Sequence, residues 1–317
     1  MHTVQTVGLA LATDLAPQES QPKVVGLMYV MLLFGMIVSA LTFGVLLAEY
    51  SPGRLVQVIQ GAAVTTLILN VLALWKQESR DRSRKHSPKA DPTFRESWES
   101  FSKGGYAVRR LIAVGLGTMA FAMEDVLLEP YGGEILKLSV GATTLLTATL
   151  AAGSLIGFGF ASRVLSRGAD PYRMAASGAI AGIPAFVAVI IAAPLQSIPL
   201  FAAGTFLIGL GAGLFGHGTL TATMQHAPKH QVGLALGTWG AVQATAAGVA
   251  MALGGMVRDL VVMMGSPELP GLGLAGAASG YVVVYIIEAV LLVATLASMV
   301  PLMKRSGSGE FTGSPAH

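Results

Sequence analysis

Eight stretches of this chain are each long and apolar enough to cross a lipid bilayer, and that feature constrains the fold more than any other. They run roughly over residues 23–48, 54–75, 111–128, 138–160, 174–194, 199–224, 231–255 and 278–301. A membrane helix needs about 20 mostly apolar residues. Inside a bilayer, backbone amides and carbonyls have no water to pair with, so helices or closed barrels are the only spanning forms. The runs are too long for barrel strands, so the expected fold class is an all-α polytopic membrane protein. Composition agrees. Hydrophobic residues make up 53% of the 317 and charged residues 12%, against about 25% charged in a typical soluble domain. The 39 glycines suit close helix packing in lipid. The chain has no cysteine, which excludes disulfides, thiolate catalysis and cysteine-based metal sites.

Basic residues set the expected orientation. Ten of the 20 Lys and Arg lie between Lys76 and Arg110. With that segment in the cytoplasm, alternation puts Lys23, Arg163, Arg167, Arg173, Lys229, Lys304 and Arg305 on the same side. Only Arg54, Lys137 and Arg258 then fall outside. The basic segment therefore reads as a cytoplasmic, lipid-facing linker, and nucleic acid is not an expected partner. The run VQTVGLALAT (4–13) is too short to span and reads as the remnant of a helix. A weak internal repeat links 11–27 with 221–234: both turn through Ala-Pro (Ala16-Pro17, Ala227-Pro228) and restart at Gly-Leu. It pairs the span 231–255 with 23–48 and the span 278–301 with 54–75. The expected organisation is a remnant (1–13), the last two spans of a first half (14–76), a basic linker (77–104), a six-span second half (105–302) and a flexible cytoplasmic tail (303–317).

Ionisable residues at membrane depth are functional suspects. Glu288 lies mid-span and shares a helical face with Tyr281, Tyr285 and Thr295. Two readings stay open for it: a proton-coupling or ligand-contacting carboxyl, and a neutral Glu hydrogen-bonded to a neighbouring helix. Four carboxylates crowd into EDVLLEPYGGE (124–134). Glu129 and Glu134, with Pro130, Gly132 and Gly133, are expected in an exposed turn. Glu124 and Asp125 are candidate contacts to a ligand or partner. His217, between Gly216 and Gly218, is either a pigment ligand with room for a flat macrocycle or a packing residue. Trp239 stacks on a ring or fills the core, Gln243 is a candidate interhelical donor, and Tyr285, on the Glu288 face, is a candidate ligand or partner contact. The glycines from 209 to 218 and the Gly233–Gly237 pair permit close helix approach. GLGAGLFG lies inside an apolar span with no strand before it, so dinucleotide binding is a poor reading. No nucleophile–base pair, metal-ligand cluster or phosphate loop is visible, so no enzymatic activity and no required cofactor are expected.

EDVLLEPYGGEILKLSVGATTLLTA resembles the signature region of the PucC/LhaA family, the bacteriochlorophyll-delivery branch of the major facilitator superfamily. GLALATDLAP, IQGAAV, GADPYRMAASGAIAG, GLGAGLFGHGTLTATM and GLALGTWGAVQATAAGVA agree in order. The resemblance implies a major-facilitator-like bundle related to a twelve-span fold, here with eight full spans and a partial one. It thus implies a chain truncated at its N-terminus by three spans or more. It implies a bacterial inner or photosynthetic membrane protein that assists assembly of light-harvesting complexes. Its partners would be antenna polypeptides and bacteriochlorophyll, the pigment as bound cargo. GFGFASRVLSRGADPYR (157–173) resembles the basic cytoplasmic loop of major-facilitator halves. It makes Arg163, Arg167, Asp170 and Arg173 candidates for a latch, against a plain excess of positive charge. A proton-coupled transporter and a non-functional fragment are the alternatives.

Overall fold

The computed structural model describes residues 21–47, 51–75, 98–99, 106–227, 232–265 and 276–307. Among them there is helix and no strand. In chain order the helices are α1 (Gln21–Leu46), α2 (Pro52–Leu74), α3 (Ala107–Ala120), α4 (Leu128–Glu134), α5 (Val140–Leu165), α6 (Pro171–Ala192), α7 (Ile198–His226), α8 (Val232–Met263) and α9 (Ala277–Gly307). A 3-10 turn at Glu124–Val126 joins α3 to α4, and the two helices with this join form one apolar span over Ala107–Glu134. Eight spans result, as the apolar runs predict. The span remnant and nearly all of the basic linker lie outside the described residues. The last helix runs on to Gly307, so the expected tail begins later than residue 303.

Local chemistry starts and stops these helices. Ser51, Ser139 and Ser197 each accept a backbone N–H three residues on with the side-chain oxygen, and Asp170 accepts from the amides of Tyr172 and Arg173. Such caps satisfy donors that a helix start leaves free. Turns after α4 and α6 pass through Lys137 and Gln196, at φ 56° and 46°.

The core is built on α7. It lies between α5 and α6, with α9 against α6 and α3, and α1 along the outside of α5. Bilayers supply no hydrophobic drive between helices, so close van der Waals packing has to hold them. Two glycine rows on α7 make that possible. Gly204, Gly211 and Gly218 recur every seven residues and face α6. Gly209 and Gly213 face α5. A methyl on Gly209 would stand 2.0 Å from the Leu150 carbonyl oxygen, and one on Gly213 would stand 2.4 Å from that of Ser154. On the other side Gly218 presses on the Ala175 amide, where a methyl would come within 2.6 Å. The Gly233–Gly237 pair differs. No atom of the described residues stands within 4 Å of a methyl built at either position, so this pair seats none of the described helices. α2 buries no side chain fully in its span; Leu55, Val58 and Ala62, on one face, are half-buried and the rest of the span is exposed.

These seams yield a paired prediction. Gly209→Ala drives a methyl into backbone and should cost about 1–3 kcal/mol, lowering the melting temperature of detergent-purified protein. Gly237→Ala, in open space, should leave melting unchanged or slightly higher. Equal effects at the two positions would contradict the packing.

Candidate functional site

The site forms where the third span breaks. α3 ends at Ala120, and Phe121 folds its amide back onto the carbonyls of Gly117 and Thr118. Pro130 lies in the first turn of the restarted helix. Its nitrogen has no hydrogen and cannot continue a ladder from Val126. It is tolerated in a first helical turn, where amides have no partner within the helix. α4 begins at Leu128. In an unbroken helix the Glu124 amide would donate to Ala120. Here it donates instead to Oε1 of Glu288 on α9, at 2.7 Å.

Both glutamates are inaccessible, Glu124 at 1% exposure and Glu288 at 0%. Their carboxyl groups meet within hydrogen-bonding reach of each other. Each has one further oxygen, Oε2, that is buried and takes no hydrogen bond from the described residues. The Tyr285 hydroxyl, one turn before Glu288, is likewise buried and unpaired. Neither carboxyl has an ion-pair partner among the described residues.

Tyr131 walls this pocket of polarity. It is fully buried and its ring lies 5.5 Å from Phe201, 5.3 Å from Tyr281 and 5.3 Å, edge-on, from Tyr285. Its hydroxyl donates to the Val189 carbonyl at 3.3 Å. Phe186 stacks on the other side of Tyr285 at 6.3 Å. Beyond this aromatic layer Glu134 ends α4. Its Oε2 accepts from Arg258 Nη2 at 2.8 Å and from the Tyr281 hydroxyl at 2.8 Å. Arg258 also binds Asp259 at 2.8 Å and lies 4.8 Å over the Tyr281 ring. One end of α4, α8 and α9 is thereby tied together.

The expected exposed turn over 129–134 is therefore corrected in part: these residues are helix, with Tyr131 and Gly132 buried, while Glu129, Pro130 and Glu134 are exposed as expected. The proline and glycines suggested a turn. The spacing of Leu127, Leu128, Tyr131 and Ile135 carried the opposite signal, a helical face. Tyr131, Arg258 and the Glu134 tie are functional-site neighbours that the sequence reading missed.

The remaining candidates sit elsewhere. Asp125 is exposed and reaches a narrow cleft of about 110 Å³, lined also by Leu33, Met36, Glu129, Thr147 and Ser154. His217 is 1% exposed, with both ring nitrogens unpaired and its ring 5.2 Å edge-on from Phe158. α6 occupies the space beside Gly218, and Phe158 stands 3.7 Å from a methyl at Gly216. Trp239 is buried among Leu33, Val114, Phe158, Leu220 and Leu236, and its indole nitrogen donates to Thr219 Oγ1 at 3.4 Å. Gln243, one turn on, is half-buried. Asp170 caps α6, and Arg173 Nε lies 3.9 Å from its Oδ2. Arg163 and Arg167 occupy the end of α5 and the turn after it. Glu124, Glu288 and Tyr285 thus converge, Asp125 adjoins them, and His217 with Trp239 forms a second, separate group. Among the described residues no cluster of three or more His, Asp or Glu could hold a metal.

A separate apolar groove of about 730 Å³ runs along α8. Gly233, Gly237, Ala241, Thr245 and Val249 form one stripe of its floor, with Trp98 and Met119 at its sides.

Comparison with known proteins gives a consistent answer. Residues 1–307 match the family described as PUCC protein. Protein PucC of Rhodovulum sulfidophilum is 61% identical over 264 residues, covering 82% of this chain and 58% of the relative. Protein PucC of Rhodobacter capsulatus is 55% identical over 311 residues, covering 97% of this chain and 66% of the relative. The chain thus spans somewhat under two thirds of the length of these relatives. Among solved structures, a bacterial homologue of the human lysosomal transporter Spinster, inward-facing and unoccupied, superposes with a TM-score of 0.56 at 18% identity. The match covers 98% of this chain and 76% of the other, which places the bundle in the same fold.

The clasp at the break gives a second prediction. Glu288→Gln keeps an oxygen to accept the Glu124 amide and should change stability little. Glu288→Ala strands that amide in an apolar interior and should cost about 1–3 kcal/mol. Thermal melts of the two purified variants check the contrast.

Proposed function

We propose, from the premise that the chain belongs to the PUCC protein family, that it acts as a membrane assembly factor for bacterial light-harvesting complexes, handling bacteriochlorophyll or antenna polypeptides. The observation that supports this reading most is the α8 groove. Its size lies in the range of sites that hold organic ligands of several hundred ångströms cubed. Its floor of small residues would accept a flat apolar ring or the side of a helix at close range. On this reading Trp239 and Gln243 position the α8 floor from behind, and His217 braces α7 against α5. No catalytic residue is assigned, and no cofactor is required for folding; pigment is cargo.

The same reading puts the chain in the inner or intracytoplasmic photosynthetic membrane. The basic segment and C-terminus face the cytoplasm, by the excess of Lys and Arg on that side. The Asp170 cap and Arg173 then form the cytoplasmic latch, with Arg163 and Arg167 supplying charge toward anionic lipid. Proton-coupled transport is the second reading, favoured by the buried Glu124 and Glu288 carboxyls.

The test uses a phototrophic host relying on this chain. Gly237→Phe and Ala241→Phe fill the groove without touching the core seams. Each should lower antenna absorption and co-purified pigment or antenna polypeptide several-fold, at unchanged membrane levels of the variant. Normal antenna levels in both would contradict the groove assignment. Absorption spectra and mass spectrometry of the purified protein separate pigment from polypeptide cargo. Proton-driven uptake into vesicles, with neither cargo present, would favour the transporter.

A further inference from the structure

The carboxyl pair at the broken span has chemistry that neither groove nor latch uses. Glu124 and Glu288 come from different spans, 164 residues apart, and meet inside the bundle. A carboxylate can only accept hydrogen bonds. Two ionised carboxylates could therefore offer each other nothing but repulsion. A proton changes that: one carboxyl then donates and the other accepts. Among the described residues the one donor that reaches the pair is the Glu124 amide, and it serves one oxygen of Glu288. The Oε2 atoms of both residues stay unserved.

The groups facing the pair can be named from every packed element. Asp125 adjoins it from the break and carries the same charge sign. Tyr131 approaches from α4, and Tyr281 and Tyr285 from α9. Arg258, the cation at this end of α8, is engaged by Glu134 and Asp259. Among the described residues no cation offsets the two carboxyls, and unpaired charge at such depth is expensive. Tyr285 is an independent observation. Its hydroxyl is buried, unpaired, and set one turn from Glu288 on the same face. It can donate to a carboxyl oxygen while the proton sits between the two glutamates.

We propose that Glu124, Glu288 and Tyr285 form an intramembrane proton-binding site, with the proton held between the two carboxyls across the break in the third span. The proton moves without any bond between heavy atoms being made or broken. Its release leaves two facing anions, which push α9 and the broken segment apart. The site thus ties protonation to the geometry of the break. It stands on the geometry alone and rests on neither functional reading.

Infrared spectroscopy of the purified protein in lipid tests it, because a protonated carboxyl has a carbonyl stretch that an ionised one lacks. The wild type should show that band at neutral pH, downshifted in D2O. Glu124→Gln and Glu288→Gln should each weaken or shift it, and the double variant should abolish it. Glu129→Gln, on the exposed side of α4, should leave it intact. If the double variant does not fold, the single variants decide. An absent band in the wild type, or a band unchanged by both single substitutions, would overturn the proposal. Antenna assembly does not enter the readout, so failure here and failure of the assembly reading are distinguishable.

Discussion

A backbone amide set free in the middle of a membrane span is the constraint on which the site depends. The third span breaks between α3 and α4, and the break leaves the Glu124 amide without an acceptor of its own. Water cannot serve it at that depth. The carboxyl of Glu288, from the last span, does so at 2.7 Å. That contact brings a second carboxyl, from Glu124 itself, against the first, and the aromatic shell around Tyr131 closes over both. Irregular backbone at membrane depth is tolerated where protein covers it or where it lines a cavity, and broken spans are recurrent sites of binding in transporter-like folds. This break is of the covered kind.

The frame that holds the break is made of backbone contacts rather than large side chains. α7 meets α5 and α6 through glycines, and there the helices touch main chain to main chain. Such seams deform little. α8 lies outside them. Its Trp239 anchors it to α7, while the Gly233, Gly237 and Ala241 stripe stays open along the groove. Rigid seam and open face together suit the proposed role of holding apolar cargo and releasing it.

Much of this was legible in the residues. Apolar run length marked all eight spans, because the bilayer sets a length that few soluble helices match. The depth of Glu288 and its shared face with Tyr281, Tyr285 and Thr295 were readable from helical spacing, and all four side chains are buried. The family resemblance was readable in long ordered strings. The partner of Glu288 was not, because the two glutamates are far apart in sequence and nothing local couples them. The helix over 128–134 was hidden by Pro130, Gly132 and Gly133, whose usual meaning is a turn. In a first helical turn proline loses nothing, and Gly132 is packed under Leu138, Leu146 and Phe201. Glycine carried two meanings as well: close packing on α7, open space at Gly233 and Gly237 on α8. Only the position of neighbouring helices separates them.

Amide proton exchange at Glu124, followed by NMR on protein labelled selectively at glutamate nitrogen, tests the break and its clasp most directly. The account predicts a slowly exchanging, strongly downfield Glu124 amide proton in the wild type. It should stay slow in Glu288→Gln, and move upfield and exchange at least tenfold faster in Glu288→Ala. A Glu124 amide indifferent to both substitutions would contradict the account, since it would then be held within an unbroken helix or by some other group.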